Sequence, residues 1–222
     1  MKPEYIFTLY LSSTFLALFA VAEMLHVIVK IKAEITRKIV HIGTGILTML
    51  FPIMVKDQWL VLLLCASFAL ILTLSKRYHF LKGINGIDRK SHGSISYPLA
   101  VYLTYLFYDF TGQHLLFFYL PILTMAIADP MAALVGKKTG YIPISIFGEK
   151  KTIGGFLGFF STSIIVTSIL LLYFPCASIN STVLIVVCAI FSATTELITS
   201  KGLDNLTIPF SVILSIIIAQ YI

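Results

Sequence analysis

Apolar residues run along this chain in long blocks separated by short polar stretches. The blocks at 5–29, 39–55, 59–75, 95–110, 114–136, 153–174, 182–200 and 206–222 hold few charges. Several approach the ~20 apolar residues that cross a bilayer as one α-helix. The pattern predicts eight spans, with those at 39–55, 95–110 and 206–222 short enough to tilt or to be partly buried. The first block is longer than the ~7–15-residue core of a signal peptide and lacks a clear small-residue cleavage site, so it reads as a span. No repeat, low-complexity tract or flexible linker divides the sequence. The expected architecture is a single all-α domain over 1–222, a polytopic transmembrane helical bundle.

Composition agrees. Hydrophobic residues make up 58% of the 222, above the roughly 45–50% of soluble domains, and mean hydropathy is +0.96. This is the balance of an integral, multi-pass membrane protein. Cys65, Cys176 and Cys188 lie in or near apolar runs without metal spacing. The net charge of +6 matters less than its placement. Lys30, Lys32, Arg37 and Lys38 fall in the first loop, and Lys76, Arg77, Lys82, Arg89 and Lys90 in the third. Lys137, Lys138, Lys150 and Lys151 fall in the fifth, and Lys201 in the seventh. The even loops and both ends hold only Lys2 and Lys56. Cytoplasmic loops carry the excess of Lys and Arg, so the odd loops are expected inside and both termini on the non-cytoplasmic side. The basic charge is accounted for by topology, and no nucleic-acid partner is expected.

The remaining polar residues gather toward the same face in four segments. In TRKIVHIGTG (36–45), a helix would put Arg37, His41 and Gly45 on one side, with Lys38 beside them. These form an anion site or a basic collar at the lipid head groups. In GIDRKSHGSISYPLAVY (86–102), Asp88, Arg89, Lys90, Ser91 and His92 crowd together before a span. In IADPMAALVGKKTG (127–140), Asp129 interrupts an apolar run, and Gly136, Lys137, Lys138 and Gly140 follow. The stretch FGEKKTIGGFLGFF (147–160) adds Lys150, Lys151, Thr152 and Gly155 at the start of a span. Glycines, lysines and a helix N-terminus suit a phosphate, although the Walker spacing is absent. Close helix packing accounts for the same glycines. In TTELITSKGLDNLTIPF (194–210), Glu196 lies inside a span, and Asp204 and Asn205 follow in a turn. A carboxylate at membrane depth is costly and marks function by default, with a structural ion pair as the alternative. Acids and lysines together suit a nucleotide and a hard cation such as Mg²⁺, which takes one or two carboxylates plus phosphate oxygens. The pattern points to phosphoryl or nucleotidyl transfer to a lipid at the cytoplasmic interface.

At these residues the sequence resembles the CTP-dependent lipid kinases: dolichol kinase, phytol kinase and the yeast-type diacylglycerol kinases, distant relatives of the phosphatidate cytidylyltransferases. The resemblance runs from about 34 to 210. The RKxxHxxxG motif appears as Arg37, Lys38, His41 and Gly45. RKSxGxxxYPxA appears as Arg89, Lys90, Ser91, Gly93, Tyr97, Pro98 and Ala100. DxxAxxxGxxxG appears as Asp129, Ala132, Gly136 and Gly140, and ExxxxxxxDNLxxP as Glu196, Asp204, Asn205, Leu206 and Pro209. The chain departs from the family at Ala128, where glycine is common, and at Gly154, where KTIGG replaces KTxEG.

The resemblance implies a kinase that uses CTP and Mg²⁺ to phosphorylate the hydroxyl of a membrane lipid alcohol: a polyprenol, phytol or diacylglycerol. On that reading Asp129 is the leading metal ligand, with Glu196 or Asp204 second. Arg37, Lys150 and Lys151 clamp phosphates, supported by Lys38, Arg89 and Lys90. His41 is the candidate general base. Ser91, Gly136, Lys137, Gly140, Thr152 and Gly155 complete a nucleotide site, and Asp204 and Asn205 are also placed to hold cytosine or ribose. The alternatives are a cytidylyltransferase making a CDP-lipid and, from another class, a small transporter. The one-sided polar clustering and the lack of a repeat count against the transporter.

The charge pattern predicts sidedness. Single cysteines at Ser94 and Gln220, in a background without native cysteines, will react with an impermeant thiol reagent from opposite sides of sealed vesicles. Reaction of both from the same side would overturn the eight-span topology.

Overall fold

The structure, a computed structural model, describes residues 3–86, 91–146 and 149–222. It is helical throughout except for one small hairpin. The helices are α1 (Pro3–Val27), α2 (Ala33–Thr48), α3 (Phe51–Met54), α4 (Gln58–Tyr78), α5 (Lys82–Asn85), α6 (Gly93–Phe110) and α7 (Leu115–Leu123). A π-helical turn, Thr124–Ala128, joins α7 to α8 (Asp129–Thr139). After the hairpin come α9 (Ile153–Tyr173), α10 (Ser181–Ile198) and α11 (Asp204–Tyr221). Local chemistry sets several starts. Asp57 accepts from the Trp59 amide at 2.8 Å to begin α4, Thr152 caps α9 through the Gly155 amide at 2.9 Å, and Asn180 caps α10 through the Val183 amide at 3.2 Å.

Among the described residues, six helices are long and apolar enough to cross a membrane. They correspond to the expected spans except those at 39–55 and 95–110. Both of these stretches are helical, but the first is split into helices of 16 and 4 residues and the second is too polar to be counted. The first is α2 followed by α3, and α2 carries Glu34, Arg37, Lys38 and His41. The second is α6, which carries seven hydroxyl-bearing residues, Ser94, Ser96, Tyr97, Tyr102, Thr104, Tyr105 and Tyr108, along with Gly93 and Asp109. Arg37, Lys38 and His41 are part-buried and Ser96, Tyr97 and Thr104 are buried, whereas Glu34 stays on the surface.

The segment α7–π–α8 is the hub. Its apolar window is 78% buried, against 28–44% for the other five candidate spans. It packs against α2, α6, α9 and α11. The hairpin, β1 (Pro143–Ile146) with β2 (Glu149–Thr152), lies where the sequence suggested only a loop. Its antiparallel register sets Ile144 opposite Lys151 and Ile146 opposite Glu149. The alternation turns Lys151 inward and leaves Lys150 exposed.

The π turn has a local cause. Pro130 has no N–H, and its ring crowds the carbonyl four residues earlier, that of Ala126. A widened turn relieves the crowding. In i→i+5 pairing the donor for the Met125 carbonyl would be Pro130, so that carbonyl needs a partner from outside the helix. His41 of α2 supplies it, donating from Nε2 at 3.1 Å.

Small residues make this approach possible. A Cβ on Gly45 would overlap the Cβ of Ala126, and one on Gly136 would come within 2.6 Å of the Thr152 hydroxyl. Gly43 faces only the flexible tip of Leu18, at 3.0 Å. Gly45→Ala will therefore destabilise the protein by about 1–3 kcal/mol through overpacking, and Gly43→Ala by much less. Melting temperatures in one detergent compare the two; equal shifts would remove the close contact between α2 and the π turn.

Candidate active site

Two cavities meet at the end of the bundle where the polar segments converge, and they share Arg37, His41 and Asn205 in their walls. The larger, about 580 Å³, is polar. Its walls come from α2 (Arg37, Lys38, His41), the start of α8 (Asp129, Ala132, Gly136, Lys137), β2 and the start of α9 (Lys150, Lys151, Thr152, Gly155). Glu196 at the end of α10, with Asp204 and Asn205 at the start of α11, completes it. The smaller, about 110 Å³, is lined mainly by apolar side chains of α1, α2, α4 and α6.

Asp129 is the first residue of α8. Its Oδ2 lies 3.8 Å from His41 Nε2, and both side chains are largely shielded from solvent. The charges of Asp204, Glu196, Lys151 and Lys38 all act on it. His41 is further held by Tyr97, whose ring meets the imidazole edge-on at 5.0 Å and whose hydroxyl donates to the His41 carbonyl at 3.0 Å. The arrangement places a carboxylate and an imidazole side by side at the junction of the two cavities.

Lys151 and Glu196 form a direct ion pair, and Lys151 Nζ also donates to the Glu196 carbonyl at 2.8 Å. That carbonyl is near the C-terminus of α10, where a cation is favoured. Both residues were expected at the site from sequence and both are there, but they face each other. Glu149, at the start of β2, accepts from the Lys201 amide at 3.1 Å. It is thereby tied to the loop before α11. Gly154 itself packs against Thr139 and Tyr141.

Arg37 donates to the Ser91 hydroxyl at 2.8 Å. Lys76 donates to the Ser91 carbonyl at 2.6 Å, and the His92 amide donates to the Lys201 carbonyl at 2.7 Å. These bonds staple the approach to α6 onto α2, α4 and the loop before α11. Lys137 reaches the rim of the polar cavity and pairs with Glu34 at 3.4 Å on the surface. Thr152 lines the cavity while spending its hydroxyl on the α9 cap.

Gly140 is not brought to the site. Its φ of +56° lets it close α8 and turn the chain toward the hairpin. Arg89 and Lys90 lie outside the described residues, as do Asp88 and Gly148. Sequence reading missed the roles of Tyr97, Lys76, Lys201 and the Met125 carbonyl. Tyr97 stands in the YP motif and Lys76 and Lys201 read only as topology charges, while the carbonyl had its own signal: an Asp-Pro pair inside an apolar helix, which cannot keep every backbone bond.

Carboxylates gathered around Asp129 make a hard-oxygen donor set. Among the described residues, no three His, Cys, Asp or Glu side chains form a ready-made metal cage. One or two carboxylates completed by phosphate oxygens is the arrangement Mg²⁺ commonly takes, so the residues fit that ion bound together with a nucleotide.

A protein from Synechocystis sp. described as phytol kinase is 33% identical to this chain over 204 residues, 90% of this chain and 85% of that protein. No family model and no solved structure matches.

The buried Lys151–Glu196 pair predicts non-additive stability. Lys151→Met alone leaves an uncompensated buried charge, which costs about 3–5 kcal/mol. The double variant Lys151→Met with Glu196→Gln will recover most of that loss. A thermal-melt double-mutant cycle with purely additive shifts would refute the coupling.

Proposed function

The chain belongs to the phytol kinase family of membrane lipid kinases, and from that premise we propose that it transfers the γ-phosphoryl group of CTP to the hydroxyl of a lipid alcohol at the cytoplasmic face. The observation that carries this reading is the junction of a polar and an apolar cavity at Arg37, His41 and Asn205. A lipid alcohol needs an apolar channel for its chain and a charged chamber for the donor, with one shared wall where the two reacting atoms meet. The relative's description makes phytol and similar prenyl alcohols the first acceptors to test.

In this reading the nucleotide phosphates occupy the polar cavity among Lys38, Lys150, Lys151 and Arg37. Asp129, with Asp204 or Glu196 as second ligand, would hold a magnesium ion, which when bound would offset phosphate charge. Lys151 exchanges its bond to Glu196 for a phosphate oxygen, which also frees the Glu196 carboxylate. His41 has committed Nε2 to the Met125 carbonyl, which leaves Nδ1 to accept the proton. The lipid hydroxyl oxygen bonds to the γ-phosphorus as the bond to the β–γ bridging oxygen breaks. CDP leaves, and the hydroxyl proton passes to His41. Asp204 and Asn205 border the chamber at the start of α11 and contact the ribose or base. The positive-inside distribution of Lys and Arg supports the cytoplasmic placement.

Purified protein in lipid nanodiscs, given γ-labelled CTP, Mg²⁺ and a prenyl alcohol, will yield labelled lipid monophosphate and unlabelled CDP. Asp129→Asn keeps the shape of the side chain and removes its charge. It will lower turnover by on the order of a thousandfold while leaving expression and melting temperature close to the parent. Near-parent turnover of the variant at limiting Mg²⁺ would remove Asp129 from the metal site. Equal use of ATP would refute the CTP assignment.

A further inference from the structure

The apolar cavity is long for its volume. Its wall on α2 runs from Arg37 to Thr48, and its wall on α4 from Lys76 back to Cys65. Each distance is about 16 Å of helix. A space of about 110 Å³ spread over that length is one hydrocarbon chain wide. The third wall is one face of α6, Gly93, Tyr97 and Val101. The two ends differ in character. Arg37, Ser91 and Asn205 stand at the end shared with the polar chamber. At the other, Phe15 of α1 lies between Phe68 of α4, with ring centroids 4.9 Å apart, and Phe51 of α3, at 6.0 Å. All three rings are buried.

We propose that this slot is the gauge for the acceptor. It takes a single chain end-on, hydroxyl toward Arg37, His41 and Asn205, and the rings of Phe15, Phe51 and Phe68 set how much chain it holds. The inference rests on the kinase reading and adds to it the residues that decide specificity. A diacylglycerol fails on width, because its two chains diverge within a few bonds of the free hydroxyl. A prenyl alcohol passes on width and is then sorted by length at the aromatic floor. Packed rings can act as a stop because protein interiors close around what they hold and yield little to an added methylene.

The test uses full-length protein with saturating CTP and a series of prenyl alcohols of increasing length, with dioctanoylglycerol as the two-chain probe. Phe15→Ala and the milder Phe68→Leu deepen the slot. Both will raise kcat/KM for the longer alcohols relative to the shortest by about tenfold. Thr44→Phe fills the middle of the slot from α2 and will shift the ratio the other way. The KM for CTP will stay unchanged in all three, because none of these side chains borders the polar chamber. Dioctanoylglycerol will be a poor acceptor for every version. An unchanged order of preference among the alcohols in all three variants would overturn the gauge, as would efficient phosphorylation of dioctanoylglycerol by the parent. Absence of any phosphorylated alcohol with the parent protein would instead overturn the kinase reading on which the gauge rests.

Discussion

Pro130 cannot donate a hydrogen bond, and the interior of a membrane offers no water to stand in for the missing donor. The helix answers with a π turn, and the turn leaves the Met125 carbonyl to be satisfied by another element. His41 is that partner, so one backbone group ties α2 to the hub helix and fixes the imidazole beside Asp129. Gly45 and Ala126 let the two helices come close enough for the bond to form. Tyr97 then holds His41 from α6. A defect in one helix thus becomes the point on which three helices agree.

The same economy governs the charges. Several acidic side chains among the described residues are bonded into the fold. Glu196 is paired with Lys151. Glu23 accepts the amides of Lys82 and Gly83 at the start of α5, at 3.1 and 2.8 Å. That bond fixes the short helix whose Ile84 and Asn85 help wall the apolar slot. Asp129 differs. It lies among other carboxylates with a lysine and an imidazole near but not closed upon it, and concentrated negative charge of that kind invites a cation. The contrast separates carboxylates bonded into the fold from one that, on the proposed reading, serves chemistry.

The membrane also explains why the site is built as two chambers. On the proposed reading, a lipid alcohol and a nucleoside triphosphate share no solvent, so each is given its own environment with a common wall. α2 provides that wall. One face of it carries Arg37 and His41 to the polar chamber, while Val40, Thr44 and Thr48 continue into the apolar slot. Amphipathic character that would suit a surface helix is used here to divide two interior spaces.

Sequence alone determined a good deal. Long apolar blocks dictate helices, because backbone groups in lipid must be satisfied within the segment. The all-α bundle, most helix positions and the convergence of four polar segments at one end were therefore legible before any coordinates. Asp129, Arg37, Lys38, His41, Lys151 and Glu196 stood out because charge in an apolar run is expensive. Other features were decided only by tertiary structure. No pattern along the chain says that Lys151 will find Glu196, since their pairing depends on how β2 packs against the end of α10. Gly136 and Gly155 read as phosphate-binding glycines, yet both also lie where α8 and α9 pack closely, and spacing alone cannot separate those uses. Gly140 sat in the motif but ends a helix away from the chamber. The aromatic floor of the slot joins residues from α1, α3 and α4, which are distant in sequence and unremarkable singly. Periodicity reports what one helix does with its own faces. Which faces then meet, and what space they leave between them, is fixed by packing among all of them together.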